Sequence, residues 1–255
     1  MSEPIPQNPI VNGGLLYANG LQIANTATSV KTLFLNQGAA RDSKNINDII
    51  LSLPVTLNGA LVGPNAVDVA PFVANSIYAV YVIGDSTNNH PTAGLFSLFP
   101  AFPILPTGYD MYRRVGWILT DGIANIVNFV QLGVNENRSY YYQVPKNVLI
   151  TGSSNLYTLV DLSAVVPPIT QTSITATNEV FLNVLYAQAS SGNIAQFHYN
   201  TFISPPPGIV ILGYGAIVTA DTSLIVPSQN QKIAYRVGTG DTLTINVTGY
   251  TDYLF

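Results

Sequence analysis

Side chains able to do acid, base, nucleophilic or metal chemistry are sparse in these 255 residues. His90 sits in a Thr-Asn-Asn-His-Pro segment and His198 in a Phe-His-Tyr segment, far apart and without carboxylates at the spacing of a ligand set, so both are read as structural. Glycoside hydrolysis needs two opposed carboxylates, yet Glu3, Glu136 and Glu179 are the only glutamates and no aspartate pair stands out. Asp42 and Asp48 flank Arg41 and Lys44, which reads as a local charge cluster. The absence of cysteine removes disulfides, thiolate metal sites and thiol nucleophiles together. The sequence contains no Gly-x-Ser-x-Gly elbow, no Gly-x-x-x-x-Gly-Lys phosphate loop and no His-Glu-x-x-His. No catalytic, cofactor-binding or metal-ligating residue is therefore expected.

Two groups of residues suit binding instead. Arg113 and Arg114 precede a strand that holds the single tryptophan, Trp117, so cations and an aromatic face lie close together. They suit either local cation–π packing and a pair to Asp110, or contact with an anionic partner surface. Tyr140, Tyr141 and Tyr142 place three consecutive rings on alternating faces of an extended segment, so at least one must meet solvent, a partner or a domain junction. These six residues are the candidate interface.

The elements that must position them read as strands. Short segments rich in Val, Ile, Tyr, Phe and Thr are separated by Gly, Pro, Asn and Asp. Val115 to Leu119, Thr120-Asp121-Gly122 and Ile126 to Leu132 read as a hairpin turning at Asp-Gly. Lys232 to Val237, Gly238 to Asp241 and Leu243 to Tyr250 read as a second, and in its return arm Leu243, Ile245 and Val247 alternate with Thr242, Thr244, Asn246 and Thr248. Tyr78 to Ile83 and Val180 to Ala187 are apolar strands, and Ile209 to Val218 is a strand interrupted at Gly213 and Gly215. Only Asn45 to Leu53 suggests a short helix. Prolines cluster at 100–106, 167–168 and 205–207, which places them in loops or extended edges rather than across strands.

Composition narrows the partners. Hydrophobic residues make up 47% and charged residues only 9%, against about 25% charged in an average soluble domain. A net charge of −4 argues against nucleic acid, whose phosphates need clustered cations. The uncharged span from Val180 to Ala220 is broken by Asn183, Gln188, Ser190 to Asn193 and three prolines, so no membrane-spanning helix is expected. The start, Met-Ser-Glu-Pro-Ile-Pro, has neither the basic stretch nor the apolar run of an export signal, and the sequons at Asn137 and Asn246 are accordingly expected to be unmodified. A surface of Asn, Thr, Ser, Gln and Tyr costs less to desolvate than a charged one and suits protein contact.

Three stretches carry a resemblance. They are Gly38-Ala39-Ala40-Arg41-Asp42-Ser43 after the Gly20 to Ile23 segment; Ile77 to Asp85; and the block from Leu105-Pro106-Thr107-Gly108-Tyr109-Asp110 through Arg113-Arg114-Val115-Gly116-Trp117-Ile118-Leu119-Thr120 to Asn128-Phe129-Val130-Gln131-Leu132-Gly133. Together they resemble structural tail, tail-fibre or capsid-attached proteins of tailed bacteriophages and prophages, with Trp117 standing where a small residue belongs. The match spans about residues 15–135, with a looser echo at Ile233 to Arg236 and Thr244 to Asp252. The resemblance implies a virion component and no catalytic signature.

The expectation is an all-β chain of two tandem antiparallel β-sandwich, jelly-roll-like units with few or no helices. An extended arm over 1–14 precedes units at 15–135 and 140–255, and the Pro4 to Pro9 stretch would serve as a tether. The function expected is a non-enzymatic structural protein of the virion, self-assembling and bound to tail or capsid partners. A receptor-proximal role would use a loop cluster such as Ser86 to Thr92, whereas a decoration role would bury Tyr140 to Tyr142 against neighbours. The alternative is a glycan-binding β-sandwich meeting a host-surface glycan, with a polysaccharide depolymerase and a secreted adhesin less favoured.

Overall fold

The last eight described strands divide between two antiparallel sheets, and the chain changes sheet at every connection but one. In the computed structural model, which describes residues 17–26, 29–133, 135, 137–168, 178–190, 192–198, 210–213, 219–228 and 230–254, the first sheet runs β11 (Phe129–Leu132), β12 (Asn137–Gly152), β19 (Thr242–Tyr253), β14 (Asn178–Ala187), β17 (Thr219–Ser228). The second runs β13 (Thr158–Asp161), β18 (Lys232–Arg236), β15 (Ile194–His198), β16 (Val210–Gly213). Leaving aside β11, the orders β12-β19-β14-β17 and β13-β18-β15-β16 are the connectivity of an eight-stranded jelly roll. Its interior is set by alternation. Val180, Leu182, Val184 and Tyr186 of β14 and Leu243, Ile245 and Val247 of β19 share one core with Val160, Ala195, Phe197, Ile233 and Tyr235 of the facing sheet.

The first half has its own plan. Two three-stranded sheets, β1 (Ala18–Gly20), β4 (Gly38–Arg41), β5 (Asp48–Leu51) and β2 (Ile23–Asn25), β3 (Thr32–Leu35), β6 (Val55–Asn58), accompany a four-stranded sheet ordered β10 (Met111–Leu119), β8 (Ile77–Gly84), β9 (Ala93–Ser97), β7 (Ala66–Val67). Both faces of β8 are buried. Tyr78, Val80 and Val82 join the main core, while Ala79, Tyr81 and Ile83 form a smaller cluster with Leu95, Tyr109 and Trp117, against which Leu105 packs. The main core is continuous from Ala18 to Leu254, so the two halves do not have separate interiors.

The chain is all-β, with no helix among the described residues, and several local expectations change. The segment 45–53 contains β5, whose Ile49 and Leu51 are buried while Ile50 is exposed, a period of two that favours strand over helix. Neither expected hairpin forms. After β10 the chain makes a tight turn in which the Asp121 carboxylate accepts from the Ile123 and Asn125 amides, and positive φ falls at Ala124, not Gly122. One bridge, Thr120 to Ile126, follows before β11 leaves to pair with β12. Likewise β18 pairs with β13 and β15, and β19 with β12 and β14, so the 238–241 turn crosses between sheets. Two prolines do lie in strands, Pro227 in the end strand β17 and Pro145 in β12 where its register with β19 breaks, the places a strand tolerates a missing donor. Pro4 to Pro9, Pro205 to Pro207 and Gly215 lie outside the described residues.

Candidate interaction surface

Five of the six candidate contact residues are engaged inside the chain, and two of them, Arg114 and Tyr140, join its halves. Arg113 is buried and donates to the Arg41 and Asp42 carbonyls, each at 2.6 Å, while Asp110 accepts instead from Ser86. Arg114 is also buried; it bonds the Asp252 carboxylate at 2.6 Å and the Tyr253 carbonyl at 3.1 Å, and its guanidinium lies 4.9 Å from the ring centre of Trp117. Tyr140 is buried and stacks on Tyr250, 4.9 Å between centres at 14°. Its hydroxyl accepts from Gln131 at 2.6 Å and lies where a Cβ on Gly116 would stand, 2.5 Å away, so Gly116 is small by necessity. Tyr142 is half-buried and donates to the Val165 carbonyl. Only Tyr141 keeps a largely open face, as the alternation of the three rings requires.

The centre of this junction is a residue that motif reading passes over. Arg138 is fully buried and donates to the carbonyls of Gly20, Leu21 and Val115 at 2.7 Å each, and to Asn135 at 3.1 Å. Gln131 reinforces it by accepting from the Ile23 amide, and Gln22 donates to the Gly133 carbonyl. Burial lowers the pKa of Arg138 and of Arg113, and raises those of the Tyr140 and Tyr250 hydroxyls. The polar groups therefore hold the two halves together and are spent on that task.

What remains for a partner is the outer face of the β11-β12-β19-β14-β17 sheet. The register aligns Val130, Tyr141, Gly249, Phe181 and Ile225 as one row across all five strands. Gly249 has no side chain, so the Tyr141 and Phe181 rings close over it and stack at 5.0 Å and 12°. Val130 and Ile225, at the two ends, are 48% and 59% exposed, and Tyr141 is 39% exposed, while Phe181 is buried against it. The neighbouring row is an amide ladder: Asn147 donates to Asn246 at 3.1 Å, Asn183 pairs with Asn246 across the strands, and Asn183 donates to Asp221 at 2.5 Å. An apolar row beside an amide one, with the carboxylates of Asp221 and Glu179 toward the margin of the face, suits a protein contact whose centre excludes water. A second exposed apolar group, Leu98, Phe99, Phe102 and Ile104, lies on the loop after β9.

The loop after β8 is built around one carboxylate. Asp85 accepts from the Thr87, Asn89 and His90 amides, the Thr87 hydroxyl and the His90 ring at 2.6–3.0 Å. His90 is thus an Asp85 partner packed beside Tyr109, while nothing is described of the His198 side chain. The Thr87 hydroxyl and then the His90 ring hold the Asp85 carboxyl below its ordinary 3.8. The folded form thus binds that proton less readily than the unfolded chain, so the loop's support is complete above about pH 4 and is lost as pH falls below it. Asp85→Asn is expected to speed amide exchange at Asn89 and His90 at pH 7, whereas the native loop should open comparably only in acid; unchanged exchange in the variant would remove the carboxylate from this role.

Among the described residues no group of three His, Asp or Glu could hold a metal ion, and no helix is long and apolar enough to cross a membrane. The fold and surface define an all-β protein with a jelly-roll second half whose outer sheet carries an apolar row beside an amide row. No family model and no curated protein matches the sequence. Among solved structures, an exo-β-1,3-galactanase from Phanerochaete chrysosporium with galactose is 14% identical, covering 91% of this chain and 68% of its own at a TM-score of 0.20. The infectious bursal disease virus VP2 subviral particle is 11% identical, covering 93% and 71%, also at 0.20. A Bacillus thuringiensis Cry1Da tryptic core variant is 11% identical, covering 93% and 50%, at 0.17. Scores of this size carry no argument, so the functional reading rests on strand order and side chains.

Proposed function

We propose that this chain is a non-enzymatic structural protein of a tailed-phage particle, which associates with copies of itself and with tail or capsid neighbours. The observation that carries the reading is the pair of apolar and amide rows on the outer sheet. An isologous contact sets apolar against apolar and amide against amide, and leaves the Asp221 carboxylate at its rim. The four strands of at least ten residues, each about 4.8 Å wide and about 3.3 Å per residue, present a face of roughly 600 Å². That approaches the roughly 800 Å² one partner contributes to a standard interface. Edge pairing is the poorer route to assembly, because the end strand β17 carries Pro227 and Asp221.

Mass photometry of the purified chain, followed by electron microscopy after incubation with phage particles stripped of appendages, tests both parts. A discrete small oligomer that rebinds one site on the particle is the expected result. A chain that stays monomeric at micromolar concentration and ignores particles would overturn the proposal. The glycan-binding alternative rests on a different feature, a polar pocket at one end of the jelly roll.

A further inference from the structure

Three connections of the jelly roll meet at that pocket: 153–157 before β13, the stretch that ends at 192–193 before β15, and 237–241 between β18 and β19. Its volume is about 260 Å³, and its lining includes Asn155, Asn193, Arg236, Gly238 and Thr239. The wall is held from behind by Asp241, which is fully buried and accepts from the Tyr186 hydroxyl, the Ala189 amide and Asn193 Nδ2. Burial raises the Asp241 pKa, and these donors outweigh it, leaving the carboxyl below its ordinary value. Gly238 lets Asn193 close against the turn, since a Cβ there would stand 2.4 Å from the Asn193 amide carbon.

Arg236 is fixed at two points. Its guanidinium lies 4.8 Å from the ring centre of Tyr157, and its Nε donates to Gln196 Oε1, which also accepts the Tyr157 hydroxyl at 2.8 Å. Among the described residues no partner takes the Nη pair, which stands as a pre-oriented fork, the geometry that matches a carboxylate. The lining holds this one cation and no carboxylate, and its other polar groups are amides and a hydroxyl. The volume falls just under the roughly 300 Å³ at which drug-sized pockets begin, which leaves room for one small ring.

We propose that this pocket binds an acidic sugar, the fork of Arg236 taking the carboxylate of a hexuronate unit while Asn155, Asn193 and Thr239 bond its hydroxyls. The site lies on the loops, apart from the outer sheet, and does not depend on self-association. Ligand-observed NMR titration of the full chain with methyl glucuronide, methyl glucoside and sulfate tests it. Low-millimolar binding of the glucuronide is expected, with the glucoside and sulfate each at least about tenfold weaker. Arg236→Gln should lose at least about tenfold in affinity. Asn155→Ala and Thr239→Ala, both exposed and outside the core, should lose a few-fold and keep the test open if Arg236→Gln unfolds. Absence of glucuronide binding, equal binding of glucoside or sulfate, or an Arg236→Gln variant that binds normally would each overturn the site. Oligomeric state should stay constant across these variants, which separates failure here from failure of the assembly reading.

Discussion

Arg138→Ala is expected to cost about 3–5 kcal/mol of stability, the sum of three buried carbonyls orphaned at about 1 kcal/mol or more each and the cavity left behind. With an unfolding slope of about 3 kcal/mol/M, the urea midpoint should fall by about 1–2 M. The change leaves the carbonyls of Gly20, Leu21 and Val115 without the donor that now reaches all three at 2.7 Å, and it opens a cavity where β12 meets the first half. Arg138→Met would refill the volume while leaving the carbonyls orphaned, so it should recover only part of the loss. Arg41→Ala is the control: its 2.8 Å pair with Asp48 is partly exposed and should cost about 1 kcal/mol or less. A loss below about 1 kcal/mol in Arg138→Ala would show that water satisfies those carbonyls and that the buried guanidinium does not lock the halves.

That latch also shows where sequence reading stops. Alternation over 242–248 was legible and correct: Leu243, Ile245 and Val247 are fully buried and their neighbours are not. Alternation sets which face a residue takes, but says nothing of which strand lies beside it. Adjacent strands joined by a turn such as 238–241 looked like a hairpin, although in a jelly roll they belong to opposite sheets. Arg138 stood inside a sequon at the most polar point of the middle chain, and only tertiary structure brings the carbonyls of residues 20, 21 and 115 around it. The three tyrosines were legible as a split between inside and outside. That Tyr141 and Phe181 would stack was not, because Gly249, the reason they can, lies more than a hundred residues from Tyr141 and pairs with both strands.

Charge placed at either end of the apolar row should dissolve self-association without harming the fold. In an isologous contact Ile225→Glu introduces two carboxylates, one per copy, into the apolar row itself; each must be desolvated with no cation opposite. The expected rise in Kd is at least about 100-fold, equivalent to about 2.7 kcal/mol. Val130→Glu, at the far end of the same row, should act alike. Both side chains are largely exposed in the single chain, so thermal unfolding of the separated copies should stay within about 0.5 kcal/mol of native. The middle of the row is unsuitable for this test, because a Cβ at Gly249 would stand 2.0 Å from the Tyr140 carbonyl oxygen and break the sheet itself. Leu156→Glu, equally exposed but on a jelly-roll loop, serves as the surface control and should leave assembly intact. If Ile225→Glu and Val130→Glu both remain assembled while Phe102→Glu comes apart, the contact lies on the loop after β9, and the apolar row of the outer sheet is not what joins the copies.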